Sequence, residues 1–205
     1  MQDLQNYLDK AQLEAVTYCE GPTLILAGAG SGKTRVLTYK IAYLLQQGVM
    51  PWNVLALTFT NKAARELKER LDSAVGEAGN EVWAATFHST CARILRRYGE
   101  RLGYSNKFTV YDTDDQRRQM KEILKTLNID EKMLPHRTVL SEISRAKDQL
   151  KDPQEYAKEA FNDSRKISIA KAYAMYAERL KTADAMDFDD LIYNTVKLFQ
   201  ENEDV

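Results

Sequence analysis

Cysteine, histidine and proline are scarce in this chain of 205 residues, which contains two, two and four of them. The cysteines, Cys19 and Cys91, lie 72 positions apart and outside any CxxC or Cys/His spacing, which excludes a disulfide framework and a zinc site. Only nine glycines accompany 44% hydrophobic residues, so the composition also excludes disordered and fibrous protein. The length predicts one domain, or one domain that carries an insertion.

Long apolar runs are missing as well. No segment reaches the roughly 18 consecutive apolar residues that a membrane-spanning helix needs. Residues 1–6 lack the basic-then-apolar pattern of a signal peptide. We therefore expect a cytoplasmic protein without a membrane partner.

The formal net charge of −1 hides an uneven distribution of charge. Residues 1–110 carry 13 Lys/Arg against 10 Asp/Glu, residues 111–183 carry 15 against 13, and residues 184–205 carry 1 against 7. A polyanionic partner responds to local patches more than to the total charge. The nearly neutral total therefore does not exclude nucleic acid as a partner.

The first half of the sequence alternates short apolar runs with helical patterns. The apolar runs predict strands over 23–27, 54–59 and 82–86, and the first two have the composition of strands buried on both faces. Helical patterns cover 8–18, 33–47, 61–74 and 89–101, and Asn61 is a plausible N-cap. This alternation is typical of an α/β fold with right-handed crossovers and a parallel sheet covered by helices on both faces.

The pattern changes after Tyr111. Apolar stripes at helical spacing cover 114–127, 137–150, 153–161 and 164–181, with no convincing strand between them. Tyr173 and Tyr176 fit the core-facing stripe of the last of these segments. The sequence therefore predicts an all-helical insertion, followed by a further amphipathic helix over 188–200.

Residues 27–34 have the features of a phosphate-binding P-loop, since they lie between an apolar run and a helical pattern. Glycines allow successive N–H groups to point inward, and the helix N-terminus adds a positive dipole. Lys33 is expected to reach the β- and γ-phosphates of a nucleotide, and the Thr34 hydroxyl to bind Mg²⁺. The strict motif opens with Gly, and Ala27 takes that place here. The predicted phosphate-binding residues are Ala27, Gly28, Ala29, Gly30, Ser31, Gly32, Lys33 and Thr34, of which Lys33 and Thr34 have catalytic roles.

Four further segments accompany this loop in order along the chain: LDKAQLEAV at 8–16, TFTNKAA at 58–64, TFHS at 86–89 and FTVYD at 108–112. Together with the loop, they resemble the N-terminal part of superfamily 1 DNA helicases of the UvrD/Rep/PcrA group. An Ala at the start of the loop is usual in that group. The resemblance implies an incomplete RecA-like P-loop NTPase sheet with an inserted all-helical subdomain. Residues 1–110 would form part of motor domain 1A, 111–183 the helical subdomain 1B, and 184–205 a return segment toward domain 1A.

The resemblance also implies ATP and Mg²⁺ as cofactors and assigns two residues near the base. Gln12 corresponds to a glutamine that reads the adenine edge through its amide, which offers both a donor and an acceptor. Arg35 corresponds to an arginine that packs near the base. A surface position on a helix is the simpler explanation for either residue taken alone.

Contacts to single-stranded DNA are implied at two further segments. Phe59 would stack on a base, the Asn61 side chain would hold phosphate, and His88 would donate to a phosphate, contacts that grip the strand without reading its sequence. A buried Phe, an N-cap Asn and a structural His remain the alternatives. The nucleic-acid-binding residues implied in this way are Phe59, Thr60, Asn61, Lys62, Thr86, His88 and Ser89.

One part of a helicase cycle is missing from the sequence, which has no apolar strand that ends in Asp-Glu and could supply a magnesium carboxylate and a catalytic glutamate. The acidic cluster at 187–190 continues into a helical pattern and does not fit that role. We therefore expect an N-terminal fragment of an ATP-dependent 3′-to-5′ DNA helicase. It should bind ATP and single-stranded DNA, but should neither hydrolyse ATP nor unwind DNA by itself.

The expected partners are single-stranded DNA, DNA junctions and the C-terminal helicase domains that this sequence lacks. Self-association is also expected, because an incomplete sheet leaves backbone donors unpaired. Two other interpretations remain open: a stand-alone DNA-binding or adaptor module with a relic P-loop, and a fragment of a helicase-nuclease.

Overall fold

The computed structural model describes residues 6–205, so residues 1–5 of the N-terminal segment considered for a signal peptide lie outside it. The chain forms two compact units, Met1–Phe87 and His88–Val205. The predicted assignment of 1–110, 111–183 and 184–205 to helicase subdomains stays a prediction. Between residues 6 and 205, no helix combines the length and the apolar character needed to cross a membrane.

The first unit is a mixed α/β structure around a short parallel sheet. Its elements are α1 (Lys10–Thr17), α2 (Lys33–Gln46), β1 (Leu55–Thr58), α3 (Asn61–Val75), α4 (Glu77–Glu81) and β2 (Trp83–Thr86). β1 and β2 pair in parallel with Leu55 opposite Trp83 and Thr58 opposite Thr86. Helix α3 packs on both strands and α2 packs on α3. The core lies between them, around Ile41, Leu67, Leu71, Val82 and Ala84.

The strand predicted over 23–27 is wrong for the described residues. This segment forms neither strand nor helix, and Leu24 and Leu26 are 84% and 87% exposed. A parallel strand needs a neighbour to pair its amides and a second layer to cover its side chains. Between residues 6 and 205 the segment has no such paired neighbour. The expected burial of 54–59 on both faces is also incorrect, because Leu55 is exposed whereas Ala56 is buried.

Aspartate side chains cap many of the helices. Asp9, Asp112, Asp152 and Asp187 each accept a hydrogen bond from the third residue of their helix, whose side chain in turn accepts one from the cap backbone. Asp163 caps a further helix without the reciprocal bond. Such caps satisfy amides that the first helical turn leaves unpaired, and each stabilises its helix by about 1 kcal/mol.

The cap of α3 differs from the prediction. Thr60, rather than Asn61, has the extended backbone that a cap requires, and its hydroxyl accepts from the Ala63 amide at 3.1 Å. Asn61 is the first residue of the helix itself. Its side chain is therefore not needed as the cap.

The second unit is mainly helical. Helix α5 (Phe87–Tyr98) follows β2 directly, and the remaining elements are β3 (Thr109–Val110), α6 (Thr113–Thr126), α7 (His136–Asp148), α8 (Pro153–Glu159), α9 (Ser164–Thr182), β4 (Ala185–Met186) and α10 (Phe188–Glu201). Tyr173 and Tyr176 lie in the core with Ile123, Leu124 and Ile143, which confirms their predicted packing role.

This unit also contains one short sheet that was not predicted from the sequence. Ala185 and Met186 are completely buried and pair in parallel with Thr109 and Val110. The pairing spans only two residues in each strand, too few for a hydrophobic pattern to reveal it.

A buried charge cluster joins α7, α9 and α10. The ammonium of Lys147 lies 2.8 Å from Asp187 Oδ2 and 2.7 Å from Asp190 Oδ1, and the Tyr176 hydroxyl donates to Asp187 at 3.0 Å. Burial raises the pKa of Asp190 to about 6 against the opposing attraction of Lys147, and the neighbouring Asp187 adds to the rise. Burial alone would lower the pKa of Lys147, but the two carboxylates outweigh it and the pKa is raised. Burial therefore determines the direction for Asp190, and the two carboxylates determine it for Lys147.

Candidate nucleotide-binding site

The glycine-rich loop turns into α2 through two left-handed residues. Gly30 and Gly32 have φ of 77° and 80°, values at which a side chain would be strained. Gly32 is also the N-cap of α2 and has no side chain to cap the helix. The first-turn amides of α2 thus remain available to an anion, in the arrangement by which helix N-termini bind phosphate.

The Lys33 ammonium lies inside the turn of this loop. It donates to the carbonyl oxygens of Gly28 at 2.7 Å and Ala27 at 3.2 Å. The Ser31 hydroxyl donates to the same Gly28 oxygen at 2.7 Å. These bonds place a positive charge where the predicted phosphates would lie.

A cleft of about 570 Å³ opens beside the loop. Basic side chains of Lys33, Arg35 and Arg70 line it, and Asp9 is an acidic residue at its edge. This donor set fits a polyphosphate, since the cations are matched to its charge and the loop supplies amides. A second cavity of about 460 Å³ shares Arg35 and Arg70 and contains Tyr39.

Arg70 was not predicted from the sequence to lie at this site. It lies on α3, outside the motif residues, and reaches the cleft because α3 packs on α2. No local pattern distinguishes it from Arg65 or Lys68 on the same helix. Only the packing of the two helices reveals it.

Gln12 is placed beside the loop by the capping of α1. Its backbone N–H donates to the Asp9 carboxylate at 2.9 Å, and its side-chain oxygen accepts from the Asp9 amide at 3.1 Å. Its side-chain nitrogen donates to the Ser31 carbonyl at 3.0 Å. Gln12 thus lies in the cleft with the loop and Arg35, while its contact with adenine stays a prediction.

Thr34 is exposed in the first turn of α2 and lines the same cleft. Its hydroxyl is a suitable single ligand for Mg²⁺, a cation that commonly keeps several waters and takes phosphate oxygens as further ligands. Among residues 6–205, no cluster of three or more His, Cys, Asp or Glu side chains could hold a metal by itself. The residues present therefore fit a metal that arrives together with a nucleotide.

The residues predicted to contact DNA in the first unit lie at the carboxyl ends of β1 and β2. Phe59 is 92% exposed, and its ring lies 5.7 Å from that of Phe87. Asn61 and Lys62 are exposed in the first turn of α3, and the Thr60 hydroxyl caps that helix. The carboxyl edge of a parallel sheet is the usual place for ligands in open α/β folds.

Thr86, His88 and Ser89 lie around the start of α5. Thr86 is buried at the end of β2, whereas His88 and Ser89 are exposed. The His88 ring contacts that of Phe188 edge-on, with centroids 5.9 Å apart. The predicted contacts of these residues with DNA stay predictions.

Comparisons with known proteins agree with the sequence motifs. The profile of the UvrD/REP helicase N-terminal domain family matches residues 8–205. An ATP-dependent DNA helicase PcrA from Staphylococcus aureus is 49% identical over 201 residues, and one from Staphylococcus epidermidis is 48% identical over 201 residues. Each alignment covers 98% of this chain and 27% of the relative, so the chain spans about a quarter of the length of these relatives.

Proposed function

Because the chain belongs to the UvrD/REP helicase N-terminal domain family, we propose that it is the nucleotide-binding and strand-contacting N-terminal part of an ATP-dependent 3′-to-5′ DNA helicase. In this proposal the first unit carries the beginning of a RecA-like P-loop motor domain, and the helices beyond Tyr111 form the inserted subdomain. The parent protein acts in the cytoplasm on single-stranded DNA and DNA junctions, in repair or replication restart.

The observation that supports ATP binding is the loop of residues 27–34 with Lys33 turned inside it and a cleft lined by Arg35 and Arg70 beside it. Loop amides and the N-terminus of α2 would bind the phosphates, and the Lys33 ammonium would exchange the Gly28 carbonyl for phosphate oxygens. Thr34 would hold the magnesium ion, which neutralises phosphate charge when it is bound. Arg35 and Gln12 would lie nearest the base.

The strand-contacting function rests on exposed side chains at the sheet edge. Phe59 offers an uncovered ring for base stacking, which contributes roughly 1–3 kcal/mol per base. Asn61, Lys62 and the amides that begin α3 would hold the backbone phosphates. His88 and Ser89 would add donors at the start of α5. None of these groups reads a base edge, so binding should be independent of sequence.

By itself, this chain should bind ATP but not hydrolyse it. Hydrolysis requires a carboxylate for magnesium and a group that activates water. In the helicases that this chain resembles, an apolar strand that ends in Asp-Glu carries them, and this sequence has no such strand. The longer relatives, of which the chain covers 27%, would supply these groups and the accessory domains for unwinding.

Replacing Lys33 tests the nucleotide site. We expect the Lys33→Ala variant to lose about ten- to a hundredfold in affinity for Mg-ATP, the range that loss of a charge-assisted hydrogen bond implies. Isothermal titration measures this, with Lys121→Ala as the control because Lys121 is an exposed lysine of α6. Unchanged affinity in Lys33→Ala, or hydrolysis at several turnovers per second by the purified chain, would contradict the proposal.

The exposed segment 23–27 supports a further part of the proposal, that the chain pairs with C-terminal helicase domains or with itself. Leu24 and Leu26 present apolar side chains beside backbone that pairs with no strand among residues 6–205, a combination that favours strand addition. Sedimentation should therefore detect species larger than a monomer that diminish in Leu26→Lys. A monomer at every concentration would rule out the self-association.

A further inference from the structure

The side-chain amide of Gln12 connects the start of α1 with the phosphate loop. Its oxygen accepts from the Asp9 amide at 3.1 Å, and its nitrogen donates to the Ser31 carbonyl at 3.0 Å, 19 residues further along the chain. Both ends of the amide are thereby bound to the protein. The backbone N–H of residue 9 holds the amide oxygen, and this orients the amide nitrogen toward Ser31.

The part of the loop that Gln12 holds has the greatest backbone freedom. Ser31 lies between Gly30 and Gly32, both with positive φ. The other side-chain hydrogen bonds of the loop are local, because Ser31 and Lys33 donate to the carbonyls of Ala27 and Gly28. The Gln12 bond differs from them in tying the loop to another helix.

Peptide geometry gives this bond a consequence for anion binding. The Ser31 carbonyl and the Gly32 N–H belong to one planar trans peptide, so they point in opposite directions. A hydrogen bond that fixes the Ser31 oxygen therefore also fixes the direction of the Gly32 N–H. That N–H is one of the loop amides proposed above to bind phosphate.

The packing around Gly32 is close enough to make the contact specific. A Cβ atom at position 32 would lie 2.9 Å from the Gln12 side-chain nitrogen. The amide of Gln12 therefore lies directly on the Gly32 backbone. A side chain at position 32 would therefore displace the Gln12 amide from its contact with Ser31.

We propose that Gln12 is a positioning residue of the phosphate loop, which presets the Ser31–Gly32 peptide for a polyphosphate whatever base that polyphosphate carries. The inference rests on the proposed nucleotide function, and it deepens that function by assigning Gln12 to the phosphates as well as to the base. A glutamine that only read adenine would leave the affinity for a base-free polyphosphate unchanged.

The test compares Mg-ATP with magnesium tripolyphosphate, which has the phosphates but no base. Gln12→Met keeps the side-chain length and removes the hydrogen bonds. We expect it to weaken binding of magnesium tripolyphosphate about three- to tenfold, and binding of Mg-ATP by at least the same factor, in isothermal titration. Unchanged tripolyphosphate affinity together with weaker ATP binding would overturn the proposal.

The matched control is Asp9→Ala, which removes the other half of the capping box and leaves the Gln12 amide free to reach Ser31. We expect Asp9→Ala to bind tripolyphosphate at least as tightly as the unmodified chain, since an acidic side chain at the edge of the cleft is removed. An equal weakening in Asp9→Ala and Gln12→Met would show that helix capping, rather than the Ser31 contact, accounts for the effect, and would overturn the proposal.

A ligand-free measurement separates this inference from the function on which it rests. Amide hydrogen exchange over residues 28–34 should be faster in Gln12→Met than in the unmodified chain, and unchanged in Asp9→Ala. Equal exchange in all three proteins overturns the positioning role. Mg-ATP affinity that is unchanged in Lys33→Ala would instead overturn the proposed nucleotide site, and the exchange comparison would still decide whether Gln12 holds the loop.

Discussion

Lys147 is the position in the helical unit where a single substitution should cost most stability. The residue is 5% exposed, and Asp187 and Asp190, which contact its ammonium, are 2% and 7% exposed. Lys147→Met would fill similar space but leave two buried carboxylates facing each other without a cation. Breaking a buried ion pair from one side costs about 3–5 kcal/mol, and we expect a loss of this size at neutral pH.

Urea denaturation followed by far-UV circular dichroism measures this loss. With a urea dependence of about 2 kcal/mol per molar, the unfolding midpoint should fall by about 2 M. Tryptophan fluorescence is a poor probe here, because Trp52 and Trp83 both lie in the first unit. Lys151→Met is the matched control: its ammonium pairs with Glu159 at a more exposed site, so the cost should be at most about 1 kcal/mol.

A compensated variant makes the reasoning refutable. Asp187→Asn and Asp190→Asn combined with Lys147→Met remove all three charges while Asn remains a good N-cap at 187. Because the loss arises from uncompensated charge, this triple variant should recover most of the stability. The reasoning fails if Lys147→Met unfolds at the same midpoint as the unmodified chain, or if the triple variant is as unstable as the single one.

Two other predictions concern pH and DNA. Since the pKa of Asp190 is raised to about 6 in the folded chain, the stability it contributes is present below about pH 4 and lost as the pH rises through 6. Asp190→Asn should therefore gain stability relative to the unmodified chain as the pH rises from 4 to 6.5, as measured by urea midpoints, and a pH-independent difference would contradict this. Phe59→Ala should weaken binding of a labelled single-stranded oligonucleotide about tenfold in fluorescence anisotropy, whereas Phe161→Ala, which removes a ring that is 81% exposed in the helical unit, should not. Equal effects of the two phenylalanines would argue against stacking on Phe59.

Hydrophobic periodicity predicted the helices well because their signal is local. Helices α6 to α10 begin and end within about two residues of their predicted bounds, and β1 and β2 lie where apolar runs predicted them. The run at 23–27 has the same composition but no paired strand among residues 6–205, so it remains exposed. Strand formation depends on distant neighbours, and local composition cannot supply them.

The functional residues also differ in whether a local sequence pattern or only the folded structure reveals them. Lys33 and Gln12 belong to contiguous motifs and lie at the loop, whereas their contacts with a nucleotide stay predictions. Arg70 enters the cleft through helix packing, and the contact between Gln12 and Ser31 depends on side-chain geometry, so neither has a sequence signal. The sequence does contain a signal for Lys147, because this residue follows Val139 and Ile143 on the buried stripe of α7. A lysine is unusual on such a stripe without a buried partner.

The aspartates that begin α1, α6, α8 and α9 restrict which substitutions the chain can accept. Asparagine has a side chain of the same length and can still accept a hydrogen bond. Glutamate keeps the charge, but its extra methylene places the carboxylate oxygens beyond the first-turn amides that a cap must pair. In a saturation library these positions should therefore tolerate Asp→Asn better than Asp→Glu. On an ordinary protein surface, Asp→Glu is the milder of the two substitutions.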